Sequence, residues 1–421
     1  SLSKAFTAAA IGMLVDDGWV KWSDKVTTHL PGFALHDPYV SSQMTVRDLL
    51  SHRSGLATFD GDLLWYETTY SRAEIIQRIR HRPLSQQFRS DFGYQNIMYL
   101  AAGELIPRVT GKSWDEFLQE RIFTPLKMTS SNTSITAFTP DDKLAMPHLD
   151  RKPFPHQNYD NSGGAAAINS NVNDLTAWLR FWLNGGAVGT DTLLSPATIN
   201  RIFHPSVSML TGWFDERNGT HFKGYGLGWF LMDYQGRKVA HHGGGLPGYI
   251  SKIALVPEEN LGLVVLTNDM SGLPTALMYK IIDAHMGGSD RDWAADFLQF
   301  AKAGDKQDEQ ATEKRLAARA EGTQPSKPLI DYAGVYEDPM YGKASIVVDN
   351  GQLVFTMEPS KRLFNSAMMH WHYDTFHIQL KDAFLPDGLV TFELDANGKV
   401  TGFTIDLPNP DFHFHKLHFT R

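Results

Sequence analysis

The strongest constraint on the fold is a change in the spacing of apolar residues along the chain. Residues 225–268 consist of short apolar and aromatic runs separated by turn residues, which predicts strands, with a turn over 243–248. Residues 330–421 show the same pattern, with hairpin turns predicted at 349–352 and 395–399. Before residue 225, apolar residues recur mainly at helical spacing. The chain therefore combines a region of mixed helices and strands with a separate, small antiparallel β domain.

A polar stretch separates these two regions. Residues 301–328 are rich in charge and end in GTQPSKP, which predicts a solvated helix followed by a linker. We therefore predict three segments, 1–298, 299–328 and 329–421, in a chain long enough for more than one domain.

The composition excludes several classes of function. A net charge of -8 without a basic tract argues against a nucleic-acid partner, and the apolar runs are too short to span a bilayer. The chain has no cysteine, which excludes disulfides, thiolate catalysis and cysteine-bound zinc. The lack of cysteine suits an oxidising compartment, which favours a periplasmic or secreted location.

The first candidate for chemistry lies in the opening sequence SLSKAFTAAAIGMLVDDG. A helix is predicted over 5–16, with an apolar face formed by Phe6, Ile11, Leu14 and Val15. Positions three apart share a helix face, so the hydroxyl of Ser1 and the amine of Lys4 can meet. A partly desolvated lysine can activate a serine as a nucleophile. A helix-capping serine beside a surface lysine is the alternative explanation.

Two further motifs carry polar groups that can take part in catalysis. FGYQN contains Tyr94, whose hydroxyl can transfer protons, and Asn96, whose amide can bind a substrate carbonyl or hold the lysine. AHHGGGLPGY contains His242, Gly244 and Gly245, where glycines allow close approach of a substrate backbone and N–H groups can hold an oxyanion. Taken singly, a packed tyrosine, an asparagine turn and a glycine-rich hairpin would explain these residues.

In this order, S-x-x-K, Y-x-N and H-G-G resemble the three-part signature of the penicillin-recognising serine hydrolases. That family includes class C β-lactamases, DD-peptidases, D-aminopeptidases and related esterases. The stretches at 45–56, 99–128 and 256–268 are also similar to its connecting sequence, and the resemblance covers about 1–290. It implies an α/β (α+β) fold, with an antiparallel sheet flanked by helices beside a helical lobe.

The resemblance also implies roles for the motif residues. Ser1 corresponds to the acylated nucleophile, Lys4 to its base, and Tyr94 to the second proton-transfer residue. Asn96 corresponds to the substrate-amide contact, and the oxyanion hole is formed by the backbone N–H groups of Ser1 and Gly245. The implied reaction is hydrolysis of amide bonds in small peptides through an acyl-enzyme.

His242 departs from the pattern, because many relatives have a lysine there, in a K-T-G triplet whose glycine corresponds to Gly244. A histidine with an ordinary pKa near 6.5 is mostly neutral at pH 7, so it holds a substrate carboxylate poorly. We therefore expect substrates with a free amine or no charge. Alternatives are an esterase or weak β-lactamase, a non-catalytic penicillin-binding-like protein, and an N-terminal nucleophile hydrolase using its own α-amine.

The C-terminal region resembles the lipocalin-like β-barrel that follows the hydrolase domain in some relatives. There the module covers or shapes the active-site entrance, sometimes through contacts in an oligomer, so a homo-oligomer is possible here. Strand alternation in HFHKLH predicts that His413 and His415 share one face and that His418 lies on the other. Neither a carboxylate nor a cysteine completes a ligand set nearby, so we predict no metal site and no cofactor.

The resemblance raises one expectation about the beginning of the sequence. Relatives carry a segment before the nucleophile that forms a helix and the first strands of the sheet. Without such strands, those at 225–268 would lack partners at an exposed edge. We expect such a segment to exist and to pack on the sheet.

Overall fold

The structure, a computed structural model, describes residues 1–421 and divides into two compact units. Unit 1 comprises Ser1–Thr58 and Pro83–Ala301, and unit 2 comprises Phe59–Arg82 and Lys302–Arg421. The predicted segments are continuous in sequence, whereas unit 2 also takes in the excursion Phe59–Arg82.

Helices and strands alternate irregularly in the first half of the chain, and strands dominate the end. The helices are α1 (Ser3–Asp16), α2 (Val26–His29), α3 (Pro38–Gln43), α4 (Val46–Leu49), α5 (Arg72–Arg78), α6 (Asn96–Thr110), α7 (Trp114–Leu118), α8 (Gly163–Ala166), α9 (Val172–Leu183), α10 (Pro196–Ile202), α11 (Trp213–Arg217), α12 (Leu273–His285), α13 (Trp293–Ala317) and α14 (Leu329–Tyr332). The strands are β1 (His148–Leu149), β2 (Lys152–Pro153), β3 (Ala187–Val188), β4 (Asp191–Thr192), β5 (Val207–Met209), β6 (Lys223–Tyr225), β7 (Phe230–Tyr234), β8 (Arg237–Leu246), β9 (Tyr249–Val256), β10 (Leu261–Thr267), β11 (Gly334–Asp338), β12 (Gly342–Asp349), β13 (Gln352–Met357), β14 (Asn365–His372), β15 (Thr375–Ile378), β16 (Gly388–Leu394), β17 (Val400–Asp406) and β18 (His418–Thr420). None of the helices combines the length and the hydropathy needed to cross a bilayer.

Unit 1 is built around a six-stranded antiparallel sheet in the order β10-β9-β8-β7-β6-β5. On one face, Val239, Ala254 and Leu263 pack against Tyr279 and Ile282 of α12. Helix α9 lies against the other face at β10, where a side chain at Gly262 would stand 3.2 Å from the Cβ atom of Leu179. The sheet is thus covered by helices on both faces, as predicted.

Helix α1 is a central element of unit 1 and not an amphipathic surface helix. Every residue from Ser3 to Leu14 is buried, so the prediction of a single apolar face was too narrow. The alanines on all sides of this helix let neighbouring elements approach closely, and a helix that is apolar all round belongs in a core. A side chain at Gly228, before β7, would lie only 2.8 Å from the Lys4 carbonyl oxygen. This packing carries Lys4 into the interior.

The predicted turn over 243–248 was wrong in part, because β8 continues through the glycines to Leu246. Gly243 pairs with Lys252 and Gly244 with Ser251, so the backbone ladder persists without side chains. The chain reverses only after Leu246, where Gly248 adopts a positive φ of 80°. The glycines of the third motif therefore lie on a strand, where their backbone groups have fixed positions.

Unit 2 contains a closed barrel formed by the eight strands from β11 to β18. Aromatic side chains fill its interior, for example Tyr336, Phe392 and Phe403, whose rings lie 5.0 to 6.2 Å apart. The hairpin turns predicted at 349–352 and 395–399 are confirmed, since they join β12 to β13 and β16 to β17.

The excursion Phe59–Arg82 packs within unit 2 through polar and aromatic contacts. The ring of Tyr66 stacks on Phe412 at 4.0 Å, and its hydroxyl donates to Asp382 at 2.8 Å. The hydroxyl of Tyr70 donates to the carbonyl of Tyr341 at 2.7 Å. These contacts join residues distant in sequence, so no local pattern predicts them.

The predicted strand alternation of the C-terminal histidines was wrong. Phe414–Lys416 form a short 3₁₀ turn, and strand β18 begins only at His418. His413 Nδ1 lies 3.3 Å from the carboxylate of Asp60, whereas His418 Nε2 lies 2.9 Å from Glu393.

Candidate active site

The first turn of α1 joins Ser1 and Lys4 by two hydrogen bonds. The backbone N–H of Lys4 donates to the Ser1 carbonyl at 3.1 Å, and Lys4 Nζ donates to Ser1 Oγ at 3.0 Å. The Lys4 side chain is shielded from solvent, since the residue is 0% exposed. This distance allows direct proton transfer between the hydroxyl and the amine.

Uncharged oxygen atoms from two other elements hold the amine of Lys4. Asn96, the first residue of α6, accepts from Lys4 Nζ through its Oδ1 at 2.5 Å. The carbonyl of Ala165, on α8, accepts from the same nitrogen at 3.4 Å. Asn96 therefore orients the lysine, which is one of the two roles that the sequence left open for it.

The Tyr94 ring forms one wall of the lysine site. Lys4 Nζ lies 4.7 Å from the centre of that ring, a cation–π distance for the ammonium form. Two hydrogen bonds fix the loop that carries the tyrosine: Tyr94 N–H donates to Thr58 Oγ1 at 3.1 Å, and Gln95 N–H donates to His52 Nδ1 at 2.9 Å. The first and second predicted motifs thus meet at Lys4.

His52 supports the site, although sequence reasoning gave it no role. Its ring is fully buried 4.2 Å from that of Tyr94, and its backbone has a positive φ of 55°, which is strained for a residue with a side chain. Burial lowers the pKa of His52 well below its ordinary value, so the ring is neutral. The one signal in the sequence is that TVRDLLSHRSGL resembles connecting sequence of the family.

His242 is buried and neutral, and both of its ring nitrogens contact the protein. Its exposed fraction is 1%, and burial, followed by the nearby Lys4, holds the pKa of His242 well below its ordinary value. Nδ1 lies 2.6 Å from the Gly243 carbonyl and must donate to it, which leaves Nε2 to accept from the Tyr225 hydroxyl at 3.1 Å. The ring is 6.1 Å from that of Tyr94, so the structure places His242 beside the other motifs.

The glycines of β8 lie against the backbone of Ser1. A side chain at Gly244 would stand 3.1 Å from the Ser1 nitrogen and 2.5 Å from Ser251 Oγ, so only glycine fits without a shift of its neighbours. Gly245 follows on the same strand and, with Gly244, lines the space in front of Ser1. Ser1 and both glycines therefore border the same space.

A cavity of about 340 Å³ opens beside Ser1 within unit 1. Its walls come from α1, from the loop between residues 135 and 159, from α8 and the residues after it, and from β8, β9 and β10. Most of the lining is apolar, including Phe6, Ile135, Phe138, Leu144, Leu175, Ile250 and Leu266. The cavity includes Ser1 but neither Lys4 nor Tyr94, so it extends to one side of Ser1.

Comparison with known proteins identifies the two regions. Residues 1–284 match the Beta-lactamase family model, and residues 318–421 match a domain of unknown function (DUF3471). An Unguisins hydrolase from Aspergillus campestris is 29% identical over 374 residues, which cover 83% of this chain and 68% of that protein. Penicillin-binding protein 4 from Amycolatopsis lactamdurans is 29% identical over 305 residues, covering 68% of this chain and 75% of that protein.

Solved structures show the same architecture. The octameric penicillin-binding protein homologue from Pyrococcus abyssi aligns with a TM-score of 0.61 and 18% identity, covering 100% of this chain and 87% of that one. A D-stereospecific amidohydrolase from Streptomyces sp. aligns with a TM-score of 0.54 and 25% identity, covering 69% of this chain and 86% of that one. The family match over most of the chain, the shared fold and the assembled motifs agree: this chain belongs to the beta-lactamase family of hydrolases and carries an additional C-terminal barrel.

Proposed function

We propose that this protein is a serine hydrolase that cleaves amide bonds of small peptides through an acyl-enzyme, with a preference for D-amino acid residues. The observation that carries the proposal is the 3.0 Å contact between Lys4 Nζ and Ser1 Oγ inside a shielded site. A serine hydroxyl becomes nucleophilic only when a neighbouring base removes its proton, and Lys4 in its amine form is placed to do so.

In the proposed reaction, Lys4 accepts the hydroxyl proton while Ser1 Oγ attacks the substrate carbonyl carbon. The backbone nitrogens of Ser1 and Gly245 hold the resulting oxyanion. The C–N bond then breaks as Tyr94 gives its proton to the departing amine and takes up the proton held by Lys4, which leaves an ester on Ser1 and Lys4 as the free amine. A water molecule attacks that ester and gives a proton to Lys4, which passes it to Ser1 Oγ as the C–O bond breaks, so that the carboxylic acid is released and the serine hydroxyl is restored.

The preference for amides and for D-residues rests on similarity. The amidohydrolase from Streptomyces sp. is described as D-stereospecific, and further structural neighbours are D-amino acid amidases from Ochrobactrum anthropi SV3. The neutral His242 supports the choice against penicillins, because it lacks the fixed charge that would hold their carboxylate. An esterase or a weak β-lactamase would use the same nucleophile, so substrate preference decides among them.

A substrate panel tests the proposal. D- and L-aminoacyl amides, each with a free and with an acetylated amino group, are compared with short-chain esters and nitrocefin on the full chain, and we expect the highest kcat/KM for a D-amide. Ser1→Ala should abolish turnover, whereas Ser42→Ala, at an exposed serine, should not change it. Rapid hydrolysis of esters with no amide turnover would favour the esterase. Binding of substrates without any turnover would favour the non-catalytic alternative.

Self-association belongs to the proposal as well. The homologue from Pyrococcus abyssi is described as octameric, and the alignment with it includes the whole of this chain. We expect a homo-oligomer in solution, which light scattering coupled to size-exclusion chromatography would measure. A monomer at micromolar concentration would remove this part of the proposal.

A further inference from the structure

The cavity beside Ser1 is lined without charged side chains. None of its lining residues is an aspartate, glutamate, lysine or arginine. Its side chains that can titrate are His156, Tyr159 and Tyr249. A charged substrate group placed here would lose its hydration without gaining an opposite charge, which is unfavourable.

The polar groups at the wall are engaged with the protein. The Tyr249 hydroxyl donates to the Ala145 carbonyl at 2.5 Å and therefore accepts from His156 Nδ1 at 3.1 Å. Burial raises the pKa of Tyr249 to about 12, so this hydroxyl stays neutral. The Tyr159 hydroxyl donates to Gln157 Oε1. These bonds join the loop between residues 135 and 159 to β9 and leave the cavity surface predominantly apolar.

One carboxylate lies close to the lining residues in sequence, but it forms hydrogen bonds within the loop behind them. Asp160 follows the lining residue Tyr159 and accepts from Ser134 Oγ at 2.5 Å and from the backbone N–H of Ile135 at 3.1 Å. It therefore anchors the loop whose side chains Ile135 and Phe138 face the cavity. Asp160 is not among the residues that line the cavity.

The position of the cavity relative to the motifs shows which part of a substrate it takes. The leaving amine must lie near Tyr94, which supplies its proton in the proposed mechanism. The cavity contains Ser1, Gly244 and Gly245 but not Tyr94 or His242. With the carbonyl at Ser1, the acyl portion of the substrate is thus directed into the apolar cavity.

We infer that the acyl side of the substrate is apolar and uncharged, with its amino group acylated or within a peptide chain and not a free ammonium. This inference rests on the proposed function, since it assumes acylation at Ser1. It separates this chain from an enzyme for free amino acid amides, which needs a partner for the ammonium. Of the two substrate types predicted from His242, a free amine or no charge, the cavity selects the second.

Two matched esters test this inference. N-acetyl-phenylalanine and free phenylalanine p-nitrophenyl esters, each in both enantiomers, are compared at pH 6.5, where the free amine is largely protonated. We expect kcat/KM to be about 100-fold higher for the acetylated ester, because only the free one must bury an ammonium. Equal rates, or a preference for the free amine, would overturn the inference while leaving the serine hydrolase intact. Failure to hydrolyse or become acylated by either ester would overturn both proposals.

A charge placed in the cavity provides the second readout. Gln157→Glu adds a carboxylate to the lining with little change in shape. Because this carboxylate can pair with the ammonium, we expect the ratio of kcat/KM for the acetylated ester to kcat/KM for the free ester to fall about tenfold. Gln119→Glu makes the same charge change at an exposed position outside the cavity and should leave the ratio as in the parent. An unchanged ratio in Gln157→Glu would show that the cavity does not contact the amine, which contradicts the inference.

Discussion

A buried lysine in unit 1 and a buried aspartate in unit 2 are held in opposite ways. Lys4 donates to uncharged oxygen atoms, namely a hydroxyl, a side-chain amide and a backbone carbonyl. Asp60 is contacted by two cationic groups, Lys416 Nζ at 2.6 Å and Arg82 Nε at 3.3 Å, and by His413 Nδ1 at 3.3 Å. Both residues are 0% exposed, so solvent contributes little to either arrangement.

The difference lies in which protonation states each cluster permits. Burial alone raises the pKa of Asp60, but hydrogen bonds from His413 and Lys416 outweigh it and lower the pKa to about 2. That carboxylate is therefore ionised at any ordinary pH, which suits a structural role. Uncharged acceptors do not fix a lysine as an ammonium in this way, and a catalytic base must lose and regain its proton. The five predictions below test this contrast and the surroundings of Lys4.

Removing the amine of Lys4 should have the largest effect on reactivity. We expect Lys4→Met to slow acylation by a fluorophosphonate roughly a thousandfold, because no other base lies at helical spacing from Ser1. Lys25→Met removes a lysine that hydrogen-bonds to Gln43 and should retain the parent rate. Stopped-flow labelling measures both rates, and full reactivity of Lys4→Met would show that another group activates the serine.

Neutralising Asp60 should affect stability instead. We expect Asp60→Asn to lower the free energy of unfolding by roughly 3 kcal/mol at pH 7, because Lys416 and Arg82 lose their buried counterion. Hydrogen exchange of the Phe414–Lys416 turn would localise the loss, and the labelling rate of Ser1 per folded molecule should not change. If the variant is as stable as the parent, the cluster around Asp60 contributes nothing to the free energy of unfolding.

The difference in the free energy of unfolding between the parent and Asp60→Asn should depend on pH with a definite sign. The pKa of Asp60, about 2, lies below the value of about 3.9 for an unfolded aspartate. Its ionised form therefore stabilises the fold above about pH 4, and that contribution is lost as the pH falls toward 2. The gap in stability between the parent and Asp60→Asn should shrink over this range.

Giving Lys4 a charged partner should make its surroundings resemble those of Asp60, where a buried charge is paired with opposite charges. Asn96→Asp places a carboxylate where the amide oxygen now accepts at 2.5 Å, and so stabilises the ammonium form of Lys4. We expect labelling at pH 7 to fall roughly 10- to 100-fold and to recover at higher pH. Asn173→Asp, at an exposed position in the first turn of α9, is the matched control. An unaltered pH profile in Asn96→Asp would contradict the role of Lys4 as base.

Restoring a fixed charge at His242 should have the smallest effect. His242→Lys is expected to raise acylation by benzylpenicillin relative to a neutral ester by roughly tenfold or less, since the introduced ammonium must compete with its own burial. His221→Lys, at an exposed histidine, controls for net charge. Unchanged relative rates would show that this position does not contact the substrate carboxylate.

The parts of the site that follow local rules could be predicted from the sequence. Ser1 and Lys4 are one helical turn apart, so their contact follows from the spacing alone. The hairpins of the barrel follow from turn residues such as Asn350, which has a positive φ of 48°. The meeting of Lys4 with Asn96 depended on the family resemblance, because 92 residues separate them.

The parts that depend on tertiary packing could not be predicted. His52 supports Tyr94 through a strained backbone and a hydrogen bond from the backbone N–H of Gln95. No local sequence pattern predicts either feature. The docking of Phe59–Arg82 in unit 2 rests on contacts such as Tyr66 with Asp382, 316 residues apart. The full burial of α1 was missed because alanine is found on buried and on exposed helix faces alike.

The most direct test of the account is to map the covalent adduct formed with a fluorophosphonate. The full chain is labelled, digested and analysed by mass spectrometry, with Ser1→Ala as the negative control and Ser42→Ala as the matched one. We predict a single adduct on Ser1, formed by the parent and Ser42→Ala and absent from Ser1→Ala. An adduct on Ser3, whose hydroxyl instead accepts the N–H of Ile168 at 3.1 Å, or labelling that persists in Ser1→Ala, would contradict the assignment of the nucleophile.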